Sequence, residues 1–207
     1  MAESFSVQSL PRPGSALIIP GKDGSGPDHW QTLFEARWPG SRRVQQQDWQ
    51  RPDLEPWATR VVETAAQCKR PLVAVAHSFG CLAAVRAIDR GAAIDAALLV
   101  APADPDRFGI ARCAIERRLR LPALLVGSDN DPWLSATRAA ELAKHWGAAF
   151  INLGPAGHIN VAAGFGHWPL AERLAARLLQ ESGARKCGLV RPGSTGSIGR
   201  TDTMAWS

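Results

Sequence analysis

The segment from Leu72 to Ala87, LVAVAHSFGCLAAVRA, constrains the fold more than any other part of the chain. An apolar run typical of a buried strand leads directly to Ser78, and an alanine-rich, helix-forming stretch follows it. This is the layout of a nucleophile elbow, in which a serine occupies the tip of a tight turn between a strand and a helix. The turn needs small residues two positions before and after the serine, and Ala76 and Gly80 meet that need. Alanine at the first position departs from the usual G-x-S-x-G pattern.

Apolar periodicity predicts strands and helices in alternation along the chain. The predicted strands span residues 15–19, 43–49, 71–76, 96–101, 123–127 and 149–153. The predicted helices span residues 28–37, 54–68, 78–89, 135–146 and 169–180, with Asp28 and Ser135 as expected N-caps. Strands that alternate with helices of this length predict the α/β class, with a parallel sheet of about six strands covered on both faces in a three-layer α/β/α sandwich.

A chain of 207 residues is long enough for one domain of this kind. We expect a short N-terminal extension at residues 1–14 and the folded domain at residues 15–181. From Ser182 onward, glycine, serine, arginine and proline replace the periodic pattern, so residues 182–207 are predicted to be a disordered tail.

Composition and charge exclude several classes of function. There is no apolar run of about 20 residues, the length a membrane helix needs. The start of the chain lacks the features of a signal peptide, so a cytoplasmic location is expected. The four cysteines form no CxxC pair, which argues against a zinc site or a disulfide framework, and we expect no metal or cofactor. The net charge is +5, but residues 182–207 contribute +3 of it, a placement that disfavours nucleic-acid binding.

A serine becomes a nucleophile only beside a base, which an acid in turn orients. In the elbow arrangement these groups follow in the order serine, acid, histidine, each at the carboxyl end of a strand. His158 is the best candidate base, because it lies just past a predicted strand in the loop GPAGHIN. The other histidines are weaker candidates, since they adjoin the serine or lie in or beside a helix: His29, His77, His145 and His167.

Asp129 and Asp131, in the segment SDNDPW after the fifth predicted strand, compete for the role of the acid. Turn chemistry explains either aspartate without any catalytic role. The oxyanion hole needs two backbone N–H groups, for which we expect Phe79 and a residue of the glycine-bearing loop after the first strand, near Lys22. Trp133 and His77 are candidate lining residues of a substrate pocket, whereas the tryptophans on helices are read as core residues.

Several segments together resemble the small serine hydrolases related to retinoblastoma-binding protein nine. They are PGKDGSGPDHWQTLFEARWP, AHSFGCLAA, LLVAPADPDRF and GSDNDPWLSATRAAELAKHWGAAFINLGPAGHINVAAGFGHWP. The resemblance spans residues 16–179 and implies a compact α/β-hydrolase fold with six parallel strands and no large cap domain. Carried over position by position, it implies Ser78 as the nucleophile, Asp131 as the acid and His158 as the base.

The resemblance and the predicted site imply a serine hydrolase that cleaves small carboxylic esters or related acyl compounds through an acyl-enzyme. Only about 20 residues, 102–121, separate the fourth and fifth predicted strands, so we expect a shallow, open site for a small-molecule acyl substrate. Amide or peptide cleavage stays open, because a triad does not by itself select the leaving group. The alternative is a protein-interaction module that keeps the fold and has little or no activity.

Overall fold

The computed structural model describes residues 14–186, where strands and helices alternate as the sequence predicts. The strands are β1 (Ser15–Ile19), β2 (Arg42–Arg43), β3 (Leu72–His77), β4 (Ala96–Val100), β5 (Ala123–Gly127) and β6 (Ala149–Asn152). The helices are α1 (Trp30–Arg37), α2 (Leu54–Ala65), α3 (Phe79–Asp89), α4 (Ala136–Trp146) and α5 (Pro169–Lys186). Short 3₁₀ turns lie at Pro105–Phe108, Arg112–Ala114 and Val161–Ala163.

The six strands form one parallel sheet in the order β2-β1-β3-β4-β5-β6. After β2 the chain crosses back over β1 to form β3, so the direction of strand addition reverses between β1 and β3. Such a switch point opens a crevice at the carboxyl ends of the two strands, which is where parallel sheets bind ligands. Ser78 directly follows the end of β3, so the sheet itself brings the elbow to this crevice.

Helices cover both faces of the sheet. One apolar cluster lies under α2, α3 and α4, and the other lies under α1 and α5. Trp30, Trp38 and Trp146 are buried in these clusters, as expected for the helix tryptophans, whereas Trp168 is only partly buried; Cys81 is also a core residue. The three-layer α/β/α architecture with six parallel strands is therefore confirmed, and residues 101–122 between β4 and β5 form two short 3₁₀ turns rather than a cap domain.

Several predicted element boundaries differ from the structure, and for two of them near the start of the chain the cause is clear. The second strand was expected at residues 43–49, but β2 comprises only Arg42 and Arg43. It lies at the edge of the sheet with a single partner, β1, so little pairing is available to extend it. Helix α1 begins at Trp30 with His29, not Asp28, as its N-cap: the His29 ring accepts a hydrogen bond from the Gln31 N–H.

The predicted boundary of the folded domain at residue 181 is also wrong. Helix α5 continues to Lys186, Ser182 is buried, and the Lys186 ammonium donates a 2.6 Å hydrogen bond to Asp95. Residues 182–186 therefore belong to the folded domain, because a carboxylate 91 positions away supports the end of the helix. The remainder of the expected extension and tail, residues 1–13 and 187–207, lies outside the described residues.

Candidate active site

Ser78 lies between β3 and α3 with a backbone conformation that few residues adopt. Its φ of 54° and ψ of −126° place it in the left-handed half of conformational space, which costs free energy in a residue with a side chain. Its N–H donates to the Val100 carbonyl at the end of β4, at 3.1 Å. Strain of this kind at the end of a central strand is the structural signature of the predicted elbow.

Two glycines allow the chain to pack closely around the serine. A Cβ on Gly80 would lie 2.3 Å from the Ile19 carbonyl oxygen, so only glycine lets the first turn of α3 rest on the end of β1. A Cβ on Gly21 would lie 2.6 Å from the Ser78 Cβ and 3.2 Å from its hydroxyl oxygen. The loop after β1 therefore passes directly beside the Ser78 side chain, as the predicted oxyanion hole requires.

The two backbone N–H groups predicted for the oxyanion hole border this contact. Phe79 is the first residue of α3, where N–H groups have no partner within the helix and the helix dipole favours negative charge. In the loop after β1, the N–H groups of Asp23 and Gly24 donate to Trp49 and Gly21. No hydrogen bond formed within residues 14–186 uses the N–H of Lys22, which directly follows Gly21.

The structure pairs His158 with Asp131. The His158 Nδ1 lies 3.0 Å and 2.9 Å from the two carboxylate oxygens of Asp131, and the Asp131 side chain is only 2% exposed. The Trp133 N–H donates to the same carboxylate at 2.9 Å and helps to orient it. Asp129, the competing candidate, is exposed and accepts a hydrogen bond from Asn152 instead.

His158 contacts His77, the residue directly before the serine, at the carboxyl edge of the sheet. The His77 Nε2–H donates to the backbone carbonyl of His158 at 2.9 Å, and the two imidazole rings lie 4.9 Å apart. No hydrogen bond joins the Ser78 hydroxyl to the His158 ring among the described residues. In the absence of substrate, the distance between a nucleophile and its base often exceeds that of a hydrogen bond. The geometry is therefore compatible with a base that acts on Ser78.

His77, which is predicted to line a substrate pocket, contacts two other histidine rings. It is buried, with its ring between those of His29 and His158. Burial lowers the pKa of His77 well below its ordinary value, and burial and the nearby Arg43 lower the pKa of His29 to about 4. Both rings are therefore neutral near pH 7 and place no positive charge beside His158.

Three polar side chains that the sequence did not single out hold the loop of His158. The Ser128 hydroxyl accepts a hydrogen bond from the Ala156 N–H at 3.0 Å, and the Asn130 side chain accepts one from the Gly157 N–H at 2.7 Å. These bonds tie the loop after β5 to the loop after β6. The sequence offers only one sign of this role, the run of turn-forming side chains around Asp131. It does not identify the partners of Ser128 and Asn130, because these lie 28 and 27 residues further along the chain.

The third side chain, Trp30 of α1, acts from the other side of the loop. Its indole N–H donates to the Ile159 carbonyl at 2.9 Å, 129 residues further along the chain. Ile159 has a φ of 48°, a conformation that an isoleucine adopts only when its surroundings impose it. Together with the His77 bond to the preceding carbonyl, this contact fixes the backbone on both sides of the His158–Ile159 peptide.

The predicted pocket residue Trp133 stands at the surface beside the pair. Its side chain is 52% exposed, and its ring centre lies 6.4 Å from that of His158. Within residues 14–186, no three His, Cys, Asp or Glu side chains are grouped in a way that could hold a metal ion. In the same part of the chain, no helix has the length and apolar surface needed to cross a membrane.

Comparisons with known proteins give the family of the chain and solved structures with a similar fold. A family model described as serine hydrolase matches residues 16–177. Among solved structures, a protein described as a YdeN-like hydrolase from Pectobacterium atrosepticum is 36% identical, with a TM-score of 0.77 over 81% of this chain and 91% of that one. The ydeN gene product of B. subtilis is 18% identical, with a TM-score of 0.67 over 81% of this chain and 99% of that one.

More distant matches share the fold alone. Est1E from Butyrivibrio proteoclasticus, solved with ferulic acid bound, is 15% identical, with a TM-score of 0.63 over 83% of this chain and 90% of that one. A search of curated proteins found no match. The narrower resemblance to retinoblastoma-binding protein nine is not among these findings and stays a prediction. The family model covers most of the chain and includes the elbow, Asp131 and His158, and this protein therefore belongs to the serine hydrolase family.

Proposed function

We propose that the protein hydrolyses small carboxylic esters through a covalent acyl-enzyme formed on Ser78. The observation that carries the proposal is the meeting of three features at one edge of the sheet. A serine is held at positive φ, a histidine is hydrogen-bonded to a buried carboxylate, and a glycine loop passes beside the serine hydroxyl. Each feature has a role in acyl transfer, and each comes from a different part of the chain.

In the first half of the reaction, the Ser78 oxygen attacks the ester carbonyl carbon while the His158 Nε2 takes the hydroxyl proton. The carbonyl oxygen becomes an oxyanion, which the N–H groups of Phe79 and Lys22 are placed to stabilise. The tetrahedral intermediate collapses when the bond to the alcohol oxygen breaks. His158 returns the proton to that oxygen, and the acyl group stays on Ser78.

In the second half, water replaces the alcohol. His158 takes a proton from the water as the water attacks the acyl carbon, and then returns it to Ser78 as the carboxylic acid leaves. Asp131 accepts a hydrogen bond from Nδ1 throughout, which keeps the unprotonated Nε2 available and stabilises the imidazolium that forms. Neutral His77 adds no repulsion to that cation, since burial keeps its pKa low.

The test combines a covalent probe with turnover. A fluorophosphonate probe should label the wild-type protein, and Ser78→Ala should abolish labelling and lower the kcat for p-nitrophenyl acetate on the order of 10⁶-fold. Ser41→Ala, a change at a serine before β2 and away from the crevice, should leave both unchanged. A Ser78→Ala protein with half its activity would show that another group is the nucleophile. A folded wild-type protein that is neither labelled nor active would favour the interaction module.

A further inference from the structure

Three large apolar side chains are exposed among residues 14–186: Phe108 (37% exposed), Trp133 (52%) and Val161 (50%). Each lies in a segment that follows the carboxyl end of a strand, namely β4, β5 or β6. Single exposed apolar side chains are common on proteins and need no explanation. Here, however, all three lie at the edge of the sheet that carries Ser78 and His158.

Each of the three is also tied to a residue of the candidate active site. Trp133 is two positions after Asp131 and has its ring beside that of His158, at 6.4 Å. Val161 is three positions after His158. Phe108 packs its ring edge to face against Phe79, the residue after the nucleophile, with the ring centres 4.8 Å apart. The large apolar side chains exposed among residues 14–186 therefore lie in the segments that carry the candidate site, and we call these three residues the rim.

The aromatic members of this rim are held in place. The guanidinium of Arg107 lies over the Trp133 ring, 5.4 Å from its centre, and also donates to the Pro132 carbonyl at 3.3 Å. The Trp133 backbone is fixed by its bond to the Asp131 carboxylate. Phe108 ends a 3₁₀ turn and rests on the buried Phe79. Side chains that are ordered before binding lose less conformational entropy when a ligand covers them.

The reaction chemistry assigns a side of the site to each aromatic ring. His158 must return a proton to the departing alcohol oxygen, so the alcohol leaves past His158, and Trp133 is the aromatic ring beside it. In the acyl-enzyme the acyl group is bonded to Ser78, and Phe108 packs on the ring of the next residue, Phe79. The alcohol portion of the substrate thus meets Trp133, and the acyl portion meets Phe108.

We propose that Trp133 and Phe108 form two substrate subsites, and that the preferred substrates are esters of apolar carboxylic acids with aromatic alcohols. The Trp133 ring, which Arg107 holds in place, contacts the aromatic ring of the alcohol either face to face or edge to face. Phe108 contacts the acyl chain. Aromatic pairs of this kind add to the free energy of area burial, which favours aromatic over small alcohols. This inference rests on the proposed ester hydrolysis.

The experiment separates the two subsites with two pairs of esters. Benzyl butyrate and methyl butyrate differ in the alcohol alone, and methyl hexanoate and methyl acetate differ in the acyl chain alone. Trp133→Ala should lower the benzyl-to-methyl ratio of kcat/KM for the two butyrates roughly tenfold, the range of one lost aromatic contact. Phe108→Ala should lower the hexanoate-to-acetate ratio by a similar factor without changing the benzyl-to-methyl ratio. Trp133→Phe, which keeps an aromatic ring, should retain most of the benzyl preference.

The outcomes distinguish this inference from the function on which it rests. If Trp133→Ala lowers both butyrates equally, or changes neither, the alcohol subsite is wrong even though the enzyme is an esterase. If wild-type protein reacts with the fluorophosphonate probe but does not distinguish benzyl from methyl esters, the substrate class is wrong and the activated serine stands. Absence of both labelling and ester hydrolysis would overturn the proposed function together with the subsites.

Discussion

Two aspartates that are two positions apart in the sequence have opposite surroundings. Both lie in SDNDPW, and residue type alone does not separate them, because each is a normal turn residue. Asp131 turns inward to His158, with its side chain 2% exposed, whereas Asp129 remains at the surface with Asn152. The difference depends on contacts with residues more than 20 positions away, so only the family resemblance could choose between them in advance.

At the residue scale, we predict that Asp131→Asn lowers kcat for p-nitrophenyl acetate by roughly 10⁴-fold, the loss seen when the acid of a well-studied triad becomes an amide. The amide can donate to Nδ1, which favours the tautomer that carries its proton on Nε2 and cannot act as a base. The matched variant Asp129→Asn should stay within about threefold of wild type. Equal losses in the two variants, or a larger loss at Asp129, would contradict the assignment.

Whether another residue of the site could be predicted depends on how far along the chain its partner lies. Ser78 could be predicted because an elbow is a local sequence pattern. His158 could be predicted because it follows the end of a strand, and a parallel sheet brings the ends of its strands to one edge. Trp30 and Asn130 could not be recognised as supports of the histidine loop. Each bonds a single backbone group, 129 and 27 residues away respectively, and such pairings leave no periodicity in the sequence.

At the scale of elements, Asp95 joins the starts of two strands to the end of a helix. It precedes β4, its side chain is 1% exposed, and it accepts hydrogen bonds from the Leu72 N–H at 2.8 Å, from Arg70 and from Lys186. Burial raises the pKa of this carboxyl, but the hydrogen bonds outweigh burial and lower the pKa to about 2. The sequence pattern predicts that the last helix ends at residue 180, whereas α5 ends at Lys186, because the pattern contains no sign of this long-range support.

We predict that Asp95→Asn lowers the free energy of unfolding by about 1–3 kcal/mol, since an amide cannot satisfy three donors as a carboxylate does. Lys186→Ala, which removes one half-exposed partner, should cost less than about 1 kcal/mol. Urea unfolding at pH 7 measures both. Esterase activity should be unchanged, because Asp95 lies at the amino end of the sheet and Ser78 at the carboxyl end. An Asp95→Asn protein as stable as wild type would contradict the role assigned to this carboxylate.

At the scale of the whole molecule, three imidazole rings lie in one row at the carboxyl edge of the sheet: His29, His77 and His158. Burial lowers the pKa values of His29 and His77 in the folded state, so these two rings are neutral near pH 7. The unfolded chain therefore binds more protons than the folded one below the ordinary histidine pKa of about 6.5. The stability of the entire domain consequently rises with pH across this range.

The free energy of unfolding should be highest above pH 6.5 and fall as the pH decreases toward about 4, to which burial lowers the pKa of His29. His29→Asn keeps an N-cap acceptor for α1 but removes the titrating ring. It should reduce the loss of stability between pH 6.5 and pH 5 by about 1.5 kcal/mol relative to wild type. Urea titrations at the two pH values provide the comparison. The same loss in both proteins would show that His29 is not a source of the pH dependence.

The loop of His158 is fastened at four successive residues, from Ala156 to Ile159, by side chains of β3, α1 and the loop after β5. Amide protons held in this way exchange with solvent only when the elements that hold them separate, so we expect the Gly157 amide to exchange on the timescale of strand amides. A loop with such slow amide exchange does not open and close over a substrate. The proposed base, His158, is then in place before each encounter, and we expect that turnover is not gated by this loop.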